Sequence, residues 1–454
     1  MQKRIMIGAA TVLAAWLAAA AGAVAQEAAD PDAMRLLAPF SALNAGQAVL
    51  ARNFAVTRAI QTGAAHQPTL LPFAAQQRQA ISDATITSEN DFDLADGLGT
   101  TLGAAYRSVA HYGSTDGGKT KDITYPPDSV KALIARLNAA SGKDANTAKY
   151  LFANGTSDGT QPAAPDLLQI IAQAGGSGDT YGKAYKRPAG SPGADPRGNS
   201  RPFQTEPRLT VFTAPDFWGN RTHSTAYLHG PVQDLTASPA FPSGHTTYGY
   251  TGSLLLALLI PPRYPQMIAR GAEYGNDRII MGAHYTTDVI GGRTLATYKI
   301  AHLLADKSVR DALVKARIEL AQTLGPICGG QMMVCARRDH GRFADARKVR
   351  AFYESTQTYG LPPVRPARLH AKDDIAKVAP EAGYLLTSAF TYLTLDQADA
   401  ILADTEGPGG GYLDGDATAD GHVLGVYSRL DLYRAAEKAI ALAPKPGKPG
   451  NKPK

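Results

Sequence analysis

The sequence predicts a mainly α protein, a helical bundle, on three observations. Apolar residues recur at three- and four-residue spacing along most of the chain, as in "MRLLAPFSALNAGQAVLARNFAVTRAI" and "DSVKALIARLNAA". No series of alternating apolar and polar residues stands between these stretches. Nothing repeats at a fixed period, which excludes a solenoid. At 454 residues, 44% of them hydrophobic, the chain is long enough to bury a sizeable core.

The elements follow in order. Residues 1–25 have a basic start (Lys3, Arg4), an apolar centre and the small-residue pattern Ala23-Val24-Ala25, which predicts a signal peptide cut before Gln26 and a periplasmic or secreted product. Residues 26–150 read as an N-terminal helical segment interrupted by polar loops such as "YGSTDGGKTKD". A core is expected over 151–305. It opens with the helical "APDLLQIIAQA", loses regular structure from Pro188 to Asn199 where proline and glycine crowd, and resumes in "GYTGSLLLALLIPP", which two prolines stop. "YPQMIARGAEYGNDRIIMGAHYTTDVIGGRTLATYKIAHLLA" then reads as two consecutive helices. Residues 306–443 form a C-terminal helical extension, with helical runs in "RFADARKVRAFYESTQ", "EAGYLLTSAFTYLTLDQADAILADT" and "VYSRLDLYRAAEKAIALA". Residues 444–454, all Pro, Gly, Lys and Asn, cannot build a core and predict a disordered tail.

Charge narrows the function. Lys3, Arg4, Lys445, Lys448, Lys452 and Lys454 account for the whole formal charge of +6, so the folded body is neutral and a basic nucleic-acid-binding face has no support. No apolar run after the leader reaches the ~20 residues that cross a bilayer, so no integral span is expected. The two cysteines, Cys328 and Cys335, stand close together in an exported chain, which predicts a disulfide rather than a zinc site. "YLDGDATADGH" offers Asp414, Asp416 and Asp420 but lacks the glycine and glutamate of a calcium loop and reads as a polar turn.

Three stretches carry chemistry. Pro242-Ser243-Gly244-His245 places helix-start residues and a histidine ahead of an apolar run, where free N–H groups favour an anion. Downstream, Arg278 precedes His284 by six positions and Asp288 follows it by four. Four apart on one helix face lets Asp288 accept a hydrogen bond from one ring nitrogen and leaves the other free as nucleophile or base. Gly291 and Gly292, costly inside a helix, predict close approach of another backbone. Upstream, Lys183, Lys186, Arg187 and Arg201 flank the proline–glycine loop; converging, they would suit a phosphate-sized dianion.

In this order, Lys183 with Arg201-Pro202, then Pro242 to His245, then Arg278, His284 and Asp288 resemble the superfamily of type 2 phosphatidic acid phosphatases, bacterial non-specific acid phosphatases and vanadium haloperoxidases, most of all the acid phosphatases. The resemblance runs from Lys183 to roughly Leu303. Two departures stand out. The family usually has six residues between its lysine and Arg-Pro, whereas seventeen separate Lys183 from Arg201, so Lys183 and Lys186, and Arg187 and Arg201, compete for those roles. Asp277 stands where the family usually has serine, and a carboxylate there must point away from a phosphate or repel it.

The resemblance implies a bundle of the acid phosphatase and haloperoxidase type. It implies His284 as the nucleophile that becomes a phosphohistidine, Asp288 as its orienting partner, and His245 as proton donor and then base. Lys183, Arg201, Ser243, Gly244 and Arg278 would bind the phosphate of a small phosphorylated substrate, with no metal or other cofactor. A lipid or polyprenyl phosphate phosphatase, or a haloperoxidase holding vanadate, are the alternatives on the same site.

Overall fold

The computed structural model describes residues 29–444 except 66, 89–90, 111–114, 117–118, 121–123, 125–126, 207–210, 230–232, 339 and 370–371. The expected leader and everything from Lys445 onward lie outside the described residues.

Helix starts and stops obey local chemistry. In the N-terminal third, α1 (Pro31–Leu37) begins where the Asp30 carboxylate accepts the Asp32 and Ala33 N–H groups, with proline first in the helix. It is followed by α2 (Ala48–Thr62), which ends on Gly63 in the left-handed region, then α3 (Phe73–Asp83) and α4 (Thr100–Val109). α5 (Asp128–Asn154) runs unbroken for 27 residues, across the boundary expected at 150. α6 (Pro165–Gln173), α7 (Thr180–Tyr185) and α8 (Pro202–Thr205) lead to three long helices, α9 (Gly244–Leu259), α10 (Tyr264–Ile280) and α11 (Thr286–Ala305).

The extension contains α12 (Lys307–Ile327), α13 (Met332–Cys335), α14 (Ala346–Thr358), α15 (Ile375–Val378), α16 (Tyr384–Thr387), α17 (Leu395–Thr405) and α18 (Leu432–Ala441). Among the described residues the only strands are two short antiparallel pairs, β1 (Thr115–Asp116) with β2 (Lys119–Thr120) and β3 (Thr213–Pro215) with β4 (Arg221–His223). Cys328 and Cys335 are bridged, fastening the end of α12 to α13. Asp414 is buried and accepts from Gly410 N at 2.7 Å, while exposed Asp416 pairs with Arg365 at 2.8 Å; the loop is a polar turn.

One apolar cluster runs from Ala33 to Ala439, so the flanking segments share a core with the central helices. α9 packs on α5, α10 and α11, and α10 is further enclosed by α3, α14 and α18. Every residue of α10 is buried although it carries Arg270, Glu273, Asp277 and Arg278. Counter-charges come from both flanks: Asp83 of α3 takes Arg270 in a two-pronged pair at 2.7 and 2.8 Å, Asp96 binds Arg270 and Arg342 at 2.7 Å each, and Arg342 reaches Glu273 at 2.6 Å.

Candidate active site

The start of α9 is built as its sequence predicts. Ser243 caps it, its hydroxyl accepting from Thr246 N at 3.1 Å, and Ser243 N donates to the Asp288 carbonyl at 3.1 Å, which ties this loop to the first turn of α11. Gly292 allows that approach, since a methyl group there would stand 2.4 Å from the Ser243 carbonyl oxygen. Around Gly244 the space is open: a methyl group would meet only the Tyr248 ring, at 3.9 Å and beyond.

His284 is fully buried, but it does not share a helix with Asp288, as four-residue spacing suggests. α11 begins at Thr286, and His284 lies in the turn before it. The two meet because Asp288 bends back over the helix start, its Oδ2 accepting from Tyr285 N at 2.8 Å and lying 3.4 Å from His284 Nδ1, too poorly aligned for a hydrogen bond. His284 Nε2 faces Arg201 Nη1 at 3.0 Å. A guanidinium only donates, so Nε2 holds a lone pair and the ring proton sits on Nδ1, beside the carboxylate. His245 Nδ1 lies 3.2 Å from the same Nε2, and its other nitrogen touches the Gln233 amide.

Three cations surround the rings. Arg201 is 1% exposed and is fixed by backbone: Nε donates to Ser238 O at 2.6 Å, Nη1 to Ala283 O at 3.0 Å and Nη2 to Pro239 O at 3.2 Å. Burial pushes its pKa down to about 10. Arg278 is 3% exposed and its Nε has no hydrogen-bond partner. Lys149, from α5, donates to Ser238 Oγ at 3.2 Å; burial first and the Arg201 charge second push its ammonium down to about 7. Burial, together with the charges of Arg201, Arg278 and Lys149, holds His245 and His284 well below the usual imidazole range, so both rings are neutral. Burial raises Asp288 to about 7 against the pull of Tyr181, the Tyr285 N–H and Arg201.

The other expected ligands are elsewhere. Lys183 is exposed and donates to Ser177 Oγ at 2.7 Å, so it does not join the site. Lys186 is exposed at the end of α7. Arg187 braces the proline–glycine loop through Gln204 O at 3.0 Å and Pro192 O at 2.6 Å, and Arg201 is the arginine at the histidines. That loop returns to α7 through Asp179, whose carboxylate accepts from Gly182, Ala189 and Asn199 N at 3.0, 2.8 and 2.6 Å, which absorbs the long spacing. Asp277 turns to Asp83; burial first, then the Asp83 and Glu273 charges, push its carboxyl far above the usual range, so it is protonated and does not repel an anion at Arg278.

Sequence reasoning missed Lys149. Its one signal is a charge on a core-facing stripe, between buried Ala145 and Phe152. A cavity of about 960 Å³ lies away from the histidines, between α1, the end of α6 and the polar turn, with Tyr412 in its wall.

Residues 198–309 match the PAP2 superfamily. An acid phosphatase of Zymomonas mobilis is 42% identical over 88 residues, 19% of this chain and 33% of the relative. Non-specific acid phosphatases of Salmonella typhimurium and Providencia stuartii are 37% identical over 86 residues and 33% identical over 88, covering 19% of this chain and 34% and 36% of the relatives. The chain therefore spans about a third of the length of the curated relatives it matches. The chain carries a PAP2 superfamily domain over residues 198–309, to which α5 adds Lys149 from outside.

Proposed function

We propose that the chain is an exported phosphomonoesterase that works through a phosphohistidine at His284. One observation carries this reading: Lys149, Arg201 and Arg278 lie around two neutral imidazoles with no carboxylate within ion-pair distance of any of them among the described residues. Asp288 and Asp195 act on Arg201, and Asp195 on Lys149, only from beyond ion-pair distance, so the cations are incompletely balanced, and a phosphate dianion is the partner that they fit. The acid phosphatase names of the relatives support the substrate class.

Binding of the phosphate dianion draws a proton from solvent onto His245; the lone pair on His284 Nε2 then attacks phosphorus, the ester P–O bond breaks, and its electron pair leaves with the alcohol oxygen, which takes that proton from His245. Asp288 balances the charge that His284 gains. His245, now neutral, takes a proton from water as the water oxygen attacks phosphorus, the N–P bond breaks, and inorganic phosphate leaves. Lys149, Arg201, Arg278, the Ser243 hydroxyl and the Gly244 N–H hold the equatorial oxygens as charge spreads. An in-line phosphoryl group does not fit between rings 3.2 Å apart, so substrate binding moves His245 outward, against its contact with Gln233.

In this reading the protein cations carry the transition-state charge and no resident metal takes part. The lipid alternative draws no support from the helices: among the described residues none is long and apolar enough to cross a membrane. Export fits a bridged Cys328–Cys335 pair.

The test is rapid-quench trapping with a labelled phosphomonoester in chelator. Wild type accumulates an acid-labile phosphoenzyme, His284→Ala forms none, and His245→Ala slows turnover yet still phosphorylates on substrates with good leaving groups. Phosphoenzyme in His284→Ala overturns the nucleophile, activity that needs added metal overturns the metal-free reading, and an exported product that keeps Met1 overturns the leader.

A further inference from the structure

We propose that Tyr181 is the positioning residue of this site: its hydroxyl, the middle member of a chain Thr287 to Tyr181 to Asp288, holds the carboxylate beside the ring proton of His284. Tyr181 is fully buried on α7, the helix that also carries exposed Lys183. Its hydroxyl donates to Asp288 Oδ1 and lies 2.5 Å from Thr287 Oγ1. A phenol has one proton and an ionised carboxylate only accepts, so that proton goes to Asp288 and Thr287 donates to the phenol oxygen.

Neighbours hold each member in place. The Tyr181 ring packs against Phe40 and Tyr285, with centroids 5.2 and 4.4 Å away. Thr287 is pinned from both flanks: its N–H donates to Asn53 Oδ1 of α2 at 3.1 Å, and its carbonyl accepts from the Tyr412 hydroxyl of the extension at 2.5 Å. With the Tyr285 N–H on Oδ2, the Tyr181 hydroxyl leaves the carboxylate one orientation, with Oδ2 turned to His284 Nδ1.

The charged and titratable groups that face Asp288 are Arg201, His284, Tyr181, Tyr285 and Tyr412. Among them Tyr181 alone places a side-chain donor on Oδ1. Without it, a buried Oδ1 loses its partner, the carboxyl binds a proton at higher pH, and neutral Asp288 no longer balances the positive charge on a phosphorylated His284.

The inference rests on the phosphohistidine reading for its effect on rate, but the position of the proton can be read without turnover. Tyr181→Phe keeps the ring and removes only the hydroxyl. Its expected result is kcat lowered at least about tenfold, as when the outer partner of a working histidine is lost, KM within about twofold of wild type, and the acid limb of the kcat profile moved to higher pH. Thr287→Val, which removes the first donor of the chain, moves the same limb in the same direction by less. In nitrogen-15 spectra of the imidazoles, wild type shows the His284 proton on Nδ1, and Tyr181→Phe weakens or shifts that signal. An unmoved acid limb with wild-type kcat, or a loss of thermal stability and activity together with no shift of the limb, overturns the proposal. If wild type lacks turnover altogether, the phosphohistidine reading fails, and the spectra still decide: an unchanged Nδ1–H signal in Tyr181→Phe overturns the positioning role, and its loss upholds it.

Discussion

A lysine ammonium stripped of water beside a guanidinium gives up its proton readily, and Lys149 is held near Arg201 in that way. Pushed down to about 7, it is charged below that pH and neutral above, so anion binding is favoured on the acid side. KM for a phosphomonoester should therefore rise as pH passes through about 7. Lys149→Met should raise KM at about pH 5 by tenfold or so, the worth of one charge-assisted hydrogen bond, and remove the step near 7. A step that survives in Lys149→Met would show that another group titrates there. Candidate residues are legible where the motif is local: Ser243, Gly244, His245, Arg278, His284 and Asp288 lie within two short stretches. Lys149 and Tyr181 are not, because their partners are distant in sequence and neither residue type is unusual on a helix.

The elements around the site differ in what their glycines do. At Gly292 a methyl group would stand 2.4 Å from the Ser243 carbonyl, an atom held in the backbone of the α9 cap, so α11 would have to move. Gly292→Ala should cost about 1–3 kcal/mol by overpacking and lower the melting temperature by several degrees, with activity lost as the two loops separate. At Gly244 a methyl group has room in the free protein, so Gly244→Ala should leave stability within about 0.5 kcal/mol of wild type. It should instead weaken phosphate binding and slow turnover by filling ligand space. Calorimetry with a phosphate titration separates the two, and stability lost at Gly244 but kept at Gly292 would reverse the assignments. Helix existence followed from apolar spacing, whereas the start of α11 did not: Tyr285-Thr286-Thr287 gives no sharp start signal, so the four-residue spacing suggests a helical His284, which stands two residues outside.

At the scale of the molecule, the neutrality of α10 depends on distant segments. Arg342, from the extension, pairs with Glu273 of α10 and with Asp96. Arg342→Met should leave these carboxylates short of positive charge and cost about 3 kcal/mol, seen as a lower denaturation midpoint with an unchanged transition slope. A midpoint equal to wild type would mean that Arg270 alone compensates both acids. The flanks could be read as helical from sequence, but their role could not, because charge pairs 69 and 246 residues apart leave no local pattern. One consequence concerns portability. The stretch that matches the family, 198–309, is recognisable as a unit but is not self-sufficient, since it contains Arg270 and Glu273 without Asp83, Asp96 or Arg342, and Arg201 without Lys149. Grafted into another chain, it would need a host that brings two carboxylates, an arginine and a lysine to the same places; the boundaries of kinship and of autonomous folding do not coincide in this protein.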